Sequence, residues 1–171
     1  MKRLTVLIPL ALGIHMLDVD AQQEATRLSY SLRMDQAVPG SRDFTEISSG
    51  APYPLNKRYE QFTTDEKGIL RSYYEGMPDT DEPPFPARGM KDIIADISTL
   101  VGKLRAEGNV TIFVSVNEKG EATSVRLLSY PNMEVAKAVA YVLVKARYKP
   151  AVCGGQPCAL EFPFRFRVGT R

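Results

Sequence analysis

Two hydrophobic periods alternate along the chain from Thr64 onward, and their order predicts the elements. Ile69, Leu70, Tyr73 and Met77 share one helical face, Thr63 and Glu66 have capping-box spacing, and Gly76 can end the run; a first helix is expected over Thr64–Glu75. Met90, Ile93, Ile94, Ile97, Val101 and Leu104 recur at i, i+3, i+4 and i+7, which predicts a second helix near Met90–Arg105. The period then falls to two. Val110, Ile112, Val114 and Val116 alternate with Thr111, Phe113 and Ser115, a strand with one buried face. Asn117-Glu118-Lys119-Gly120 has the length of a hairpin loop with glycine in the left-handed position, and Glu121–Ser129 returns with Val125 and Leu127 inward. After Tyr130-Pro131-Asn132 the helical period resumes over Met133–Arg147. Val135, Val139, Val142, Leu143 and Ala146 are its apolar side; Glu134, Lys137, Tyr141 and Lys145 are its wet side.

The last apolar pattern is the sharpest. Between Ala159 and Val168, Leu160, Phe162, Phe164, Phe166 and Val168 fall on one face, with Glu161, Arg165 and Arg167 on the other. Period-two burial explains the aromatic stripe as core rather than a cofactor pocket. Pro163 has no N–H, so this strand is expected at a sheet edge, with residues 161, 163 and 165 aiming their backbone groups outward. Such an edge is either blunted against aggregation, here by Pro163 and the arginines, or used to recruit an extended peptide along Glu161, Pro163, Arg165 and Arg167.

The segments before this are less regular. Asp79-Thr80-Asp81-Glu82 and the prolines around it, Pro78 to Pro86, read as an extended and solvated acidic linker. Residues 22–62 read as a loosely packed arm: Leu28, Tyr30, Leu32 and Met34 alternate as in one strand, and turn signals follow at 39–41 and 48–52. Lys2 and Arg3 followed by the apolar run Leu4–Leu17 have the form of a secretory signal, with Val19-Asp20-Ala21 supplying small residues for cleavage. A short uncleaved anchor is the alternative. The expected organisation is a signal over 1–21, an arm with one helix over 22–83, and an α+β domain over 84–171.

Composition narrows the chemistry. Lys and Arg number 22 against 20 Asp and Glu, a net charge of +2, which argues against an electrostatic nucleic-acid binder. The only histidine, His15, lies in the signal-like run, so the mature chain would lack imidazole and with it Ser-His triads, Cys-His dyads and histidine metal sites. An enzyme would need a carboxylate pair or a Ser-Lys arrangement, and neither is visible in the order of the chain. A non-catalytic protein without cofactor or metal is expected. Cys153 and Cys158 flank Gly-Gly-Gln-Pro, a sequence suited to a tight turn; in an exported protein they are expected to pair, a redox or metal role being the alternative.

Strand, hairpin, strand, helix, Pro-Ala, loop and aromatic strand, in that order over residues 84–168, resemble the TonB C-terminal domain family. Phe85-Pro86-Ala87-Arg88 is similar to its opening Tyr-Pro-Ala-Arg. Tyr148-Lys149-Pro150-Ala151 and Gly155-Gln156-Pro157 are similar to its aromatic-x-Pro-Ala and Gly-x-Pro features, and Phe162-Pro163-Phe164-Arg165-Phe166 to its closing strand. Three features depart from the family: a short signal-like segment and an arm of ordinary composition stand where its energy transducers have a long membrane anchor and a proline-rich spacer, Ala146 stands where it often has tryptophan, and the stretch from Ala87 to Glu107 is longer. The resemblance implies a small antiparallel sheet packed by a helix. It also implies a periplasmic location and a last strand that pairs with an extended segment of an outer-membrane transporter. The implied partner is a peptide or protein of the cell envelope, with membrane contact only through partners; oligomeric state is left open. A structural or assembly subunit of the envelope that reuses the fold is the competing reading.

Overall fold

The structure, a computed structural model, describes residues 54–169. The signal-like run, the alternating stretch 28–34 and the turns at 39–41 and 48–52 lie outside the described residues. Of the expected loose arm only 54–62 is described, and there Tyr59 and Phe62 are buried rather than loosely packed.

A single 3-10 turn at Tyr59–Gln61 leads into helix α1, Thr64–Arg71. The capping box forms as its residues dictate. Thr63 Oγ1 accepts from the Glu66 N–H, and the Glu66 carboxylate accepts from the Thr63 N–H at 2.8 Å. These bonds, the Thr63 N–H foremost, and the Lys57 ammonium hold the Glu66 carboxyl below its ordinary range. The helix stops four residues short of the expected end. The Tyr73 and Tyr74 N–H groups turn back to the Leu70 and Arg71 carbonyls, and leaving the helix lets two adjacent tyrosines both reach the interior.

The acidic linker is not a solvated spacer. Asp81 is buried, and its Oδ1 accepts from the Gly154 N–H at 3.1 Å. Glu82 exchanges both backbone hydrogen bonds with Val152, and its carboxylate lies 2.9 Å from Lys149 Nζ and 3.7 Å from Lys67 Nζ. The two ammonium groups lie 4.6 and 4.8 Å from the centre of the buried Tyr59 ring, so one carboxylate bridges two cations that rest on an aromatic surface. Of its three acidic residues only Asp79 keeps the expected exposure, pairing with Arg71.

The short strand β1, Phe85–Pro86, precedes helix α2, Lys91–Val101. The Leu55 carbonyl accepts from both the Met90 and Lys91 N–H groups at the start of α2. Ile93, Ile97 and Val101 form its buried stripe. This helix, too, ends four residues early. Gly102 follows it, and Arg105 adopts φ 44°, a left-handed turn that redirects the chain into β2.

Strands β2 (Gly108–Val116) and β3 (Ala122–Ser129), helix α3 (Met133–Lys145), and strands β4 (Tyr148–Lys149), β5 (Ala151–Cys153), β6 (Gln156–Cys158) and β7 (Leu160–Val168) complete the described chain. The main sheet is antiparallel in the order β3-β2-β7. β2 and β7 pair without interruption from Gly108↔Val168 to Val116↔Leu160, whereas β2 and β3 shift register at Thr111/Ile112 and Ser115/Val116. The even-numbered residues Val110 to Val116 and Leu160 to Val168 are all buried, as their period requires. Val135, Val139 and Leu143 of α3 join them in the core, and the Asn132 side chain caps that helix on the Val135 N–H. Tyr59, Phe62 and Phe85 belong to the same cluster, with Phe85 meeting Phe162 edge to face at 5.9 Å. Phe113 departs from its expected wet position. It is buried, with the Arg126 and Arg165 guanidinium groups 4.7 and 5.7 Å from its ring centre, so cationic side chains cover an aromatic ring on the outer sheet face.

Candidate functional site

β7 lies last in the sheet order and has nine residues paired to β2. Its outward backbone is fixed by one contact. The Tyr74 hydroxyl donates to the Glu161 carbonyl at 2.7 Å, so Glu161 turns its backbone away from β2. Alternation along an antiparallel strand then turns residues 163, 165 and 167 the same way. Pro163 sits opposite Phe113, where the lack of an N–H costs the β2–β7 ladder nothing.

The four edge residues expected to select a partner are differently engaged. The Glu161 carboxylate takes two hydrogen bonds from Arg126 of β3, reaching across β2 beside the Phe113 ring. Pro163 is half-buried. Arg165 is also half-buried, stacked toward Phe113, and only Arg167 is exposed. Burial pushes the Tyr73 hydroxyl up to about 12, against a smaller pull from the positive charge of Arg165. The segment after α1 therefore packs against this strand, through Tyr73 near Arg165 and Tyr74 at Glu161. Sequence reasoning missed that contact, and it missed Arg126 as the partner of Glu161. The available signal was the pair of adjacent tyrosines, since a single apolar helix face has no use for both.

The residues quoted for the family resemblance assemble behind the strand. Phe85 and Pro86 of β1 pair with Lys149 and Tyr148 of β4. Tyr148 is buried, its hydroxyl donates to the Leu143 carbonyl at 2.9 Å, and burial raises its ionisation well above the usual range. Its N–H donates to the Gly120 carbonyl, tying β4 to the β2–β3 hairpin. Next to that contact Arg147 pairs with Glu121 at 2.9 Å and, with Asn117, holds its carboxyl below the ordinary range. Pro150 is half-buried between β4 and β5, and Arg88 is exposed outside the strands. Cys153 and Cys158 are joined by a disulfide that closes the β5–β6 hairpin, with Gly154 and Gly155 at φ 57° and 82° in its turn. Among the described residues no group of three or more His, Cys, Asp or Glu is arranged to hold a metal ion. No helix among them is long and apolar enough to cross a membrane.

No curated protein matches the chain. A solution NMR structure of the Pseudomonas aeruginosa TonB C-terminal domain aligns at 24% identity, covering 42% of this chain and 76% of that one with a TM-score of 0.31. The family described as Gram-negative bacterial TonB protein C-terminal matches residues 100–168, from the end of α2 to the last residue of β7. Over that segment, an α+β arrangement of three antiparallel strands packed by a helix, the chain matches the TonB C-terminal domain family.

Proposed function

We propose that the chain is an exported, TonB-like binding module of the Gram-negative periplasm, and that it takes an extended segment of an envelope protein as an added strand along β7. The observation that carries this reading is the outward backbone of β7, marked by the Glu161 carbonyl and by Pro163, in a segment that matches the TonB C-terminal family. Strand addition draws its affinity from main-chain hydrogen bonds, and alternate side chains set the choice of partner. Arg165 and Arg167 would favour an acidic segment. Glu161 is itself paired with Arg126 of β3. The basic start and the apolar run Leu4–Leu17 support export. An outer-membrane receptor is the partner kind favoured here, and no catalytic step belongs to this reading.

The test uses the mature protein as bait for envelope extract, then titrates the retained, identified partner against variants. Arg165→Pro and Arg167→Pro each remove one outward N–H. Each is expected to weaken binding by about tenfold or more, a loss of roughly 1.4 kcal/mol, with only a modest fall in thermal midpoint. Equal binding by both variants would remove β7 as the surface. A second reading has its own observation: the Tyr74 hydroxyl already occupies the Glu161 carbonyl, as in an edge kept closed in a structural subunit of the envelope.

A further inference from the structure

A groove of about 610 Å³ lies between α2 and α3, away from β7; of its five charged lining residues Arg147 is paired with Glu121 and the other four are in no ion pair. Its floor is apolar, with Ile93, Val142 and Ala146. The α2 wall carries Asp92 and Asp96, one turn apart. Lys145, at the end of α3, and Arg88, just before α2, line it as well. Among the described residues none of these four charges is in an ion pair, although carboxylates and cations line one cleft. Lys145 instead lies on its own helix neighbour, Tyr141, hydrogen-bonded to the hydroxyl and 4.2 Å from the ring centre. Leu100 and Tyr141 also line it, and both are exposed, Tyr141 by 57%.

Two further facts define what fits. Along α3 the exposed stripe continues beyond the groove, with Met133 and Val144 about half exposed on the face that carries Lys137 and Tyr141. A small metabolite would fill the cleft and leave that stripe bare, whereas a polypeptide segment covers both. The family match begins at residue 100, so the acidic wall, α2 up to Thr99, is supplied by sequence outside the matched segment.

We propose that this groove is a second docking surface, for a short amphipathic segment of a partner protein. The segment presents a basic residue to Asp92 and Asp96, an acidic residue to Lys145 and Arg88, and an aliphatic side chain between Leu100 and Tyr141. Unpaired charges are well hydrated in the free protein. A ligand with both signs in the matching order satisfies both sets at once, while a segment of one sign meets repulsion from one of them. The apolar anchor at Tyr141 supplies the contact area.

The experiment selects a random-peptide library displayed on phage against the full mature protein, then measures the enriched peptides as free synthetic peptides. Enriched sequences are expected to carry both an acidic and a basic residue around an aliphatic one. Tyr141→Ala should weaken them by about tenfold or more, and Lys145→Glu should do likewise by reversing one charge. Both positions are exposed, so the thermal midpoint should hold in each variant. Binding to Arg165→Pro protein should be unchanged, which separates this surface from the β7 edge. The proposal is overturned if no sequence is enriched, if enriched peptides lack the two signs, or if they bind Tyr141→Ala and Lys145→Glu as tightly as the parent.

Discussion

At Gly120 the backbone has no room for a side chain. Its φ is +75°, and an added Cβ would stand 2.0 Å from the Tyr148 carbonyl oxygen, while Tyr148 is itself held by its N–H on the Gly120 carbonyl. Neither partner can retreat without breaking the contact between the β2–β3 hairpin and β4. Gly120→Ala is therefore expected to cost at least about 2–3 kcal/mol, from combined backbone strain and clash. Gly68 is the opposite case. It lies within α1 with nothing within 4 Å of an added Cβ, so Gly68→Ala should stabilise by about 0.5–1 kcal/mol through the unfolded chain. Urea melts of the two variants, read as midpoint shifts at unchanged slope, test both. The left-handed turn at Gly120 was legible from Asn-Glu-Lys-Gly between two alternating runs. The close approach of Tyr148 was not, because a contact across 28 positions leaves no local mark.

Elements whose pattern is set by burial on one continuous surface came out within a few residues of expectation, and those ended by local competition did not. β7 supplies part of the sheet face and α3 shares its core, so Phe162, Phe164, Val139 and Leu143 fix both period and extent. α1 and α2 each stop four residues early, where Tyr73, Tyr74 and Gly102 make leaving the helix better than continuing it. The acidic linker was misjudged for a related reason: charge composition is silent about partners, and Asp81 and Glu82 find theirs on the disulfide hairpin and on Lys149. Those contacts decide what the disulfide contributes. Closing so short a loop is worth about 2 kcal/mol on the chain-entropy account. The β5–β6 hairpin is also held by the Glu82–Val152 backbone pair and the Asp81–Gly154 bond. A Cys153→Ser, Cys158→Ser protein should lose about that much stability in urea and keep its circular dichroism. Unfolding of the double variant at room temperature would mean that the hairpin depends on the bridge alone.

For the whole molecule, the question is how a sheet edge and the segment that packs on it share one surface. The family match covers β2, β3, α3 and β7, and the Tyr73-Tyr74 segment lies outside it. That segment touches the N-terminal end of β7. Tyr74 donates to the Glu161 carbonyl, a backbone group that an added strand would otherwise use. If strand addition extends to this end of β7, the partner and Tyr74 compete for one acceptor, and the free protein holds the edge partly closed. Tyr74→Phe removes the hydroxyl and keeps the buried ring, so the core loses little while the carbonyl is released. A hydrogen bond of this kind is worth about 0.5–1.5 kcal/mol net. The variant should therefore bind the retained partner about two- to tenfold more tightly, with a slightly lower thermal midpoint. Arg165→Pro in the same background should abolish the gain. Unchanged affinity in Tyr74→Phe would mean that docking begins beyond Glu161, and weaker binding would make the Tyr74 segment part of the partner's own seat.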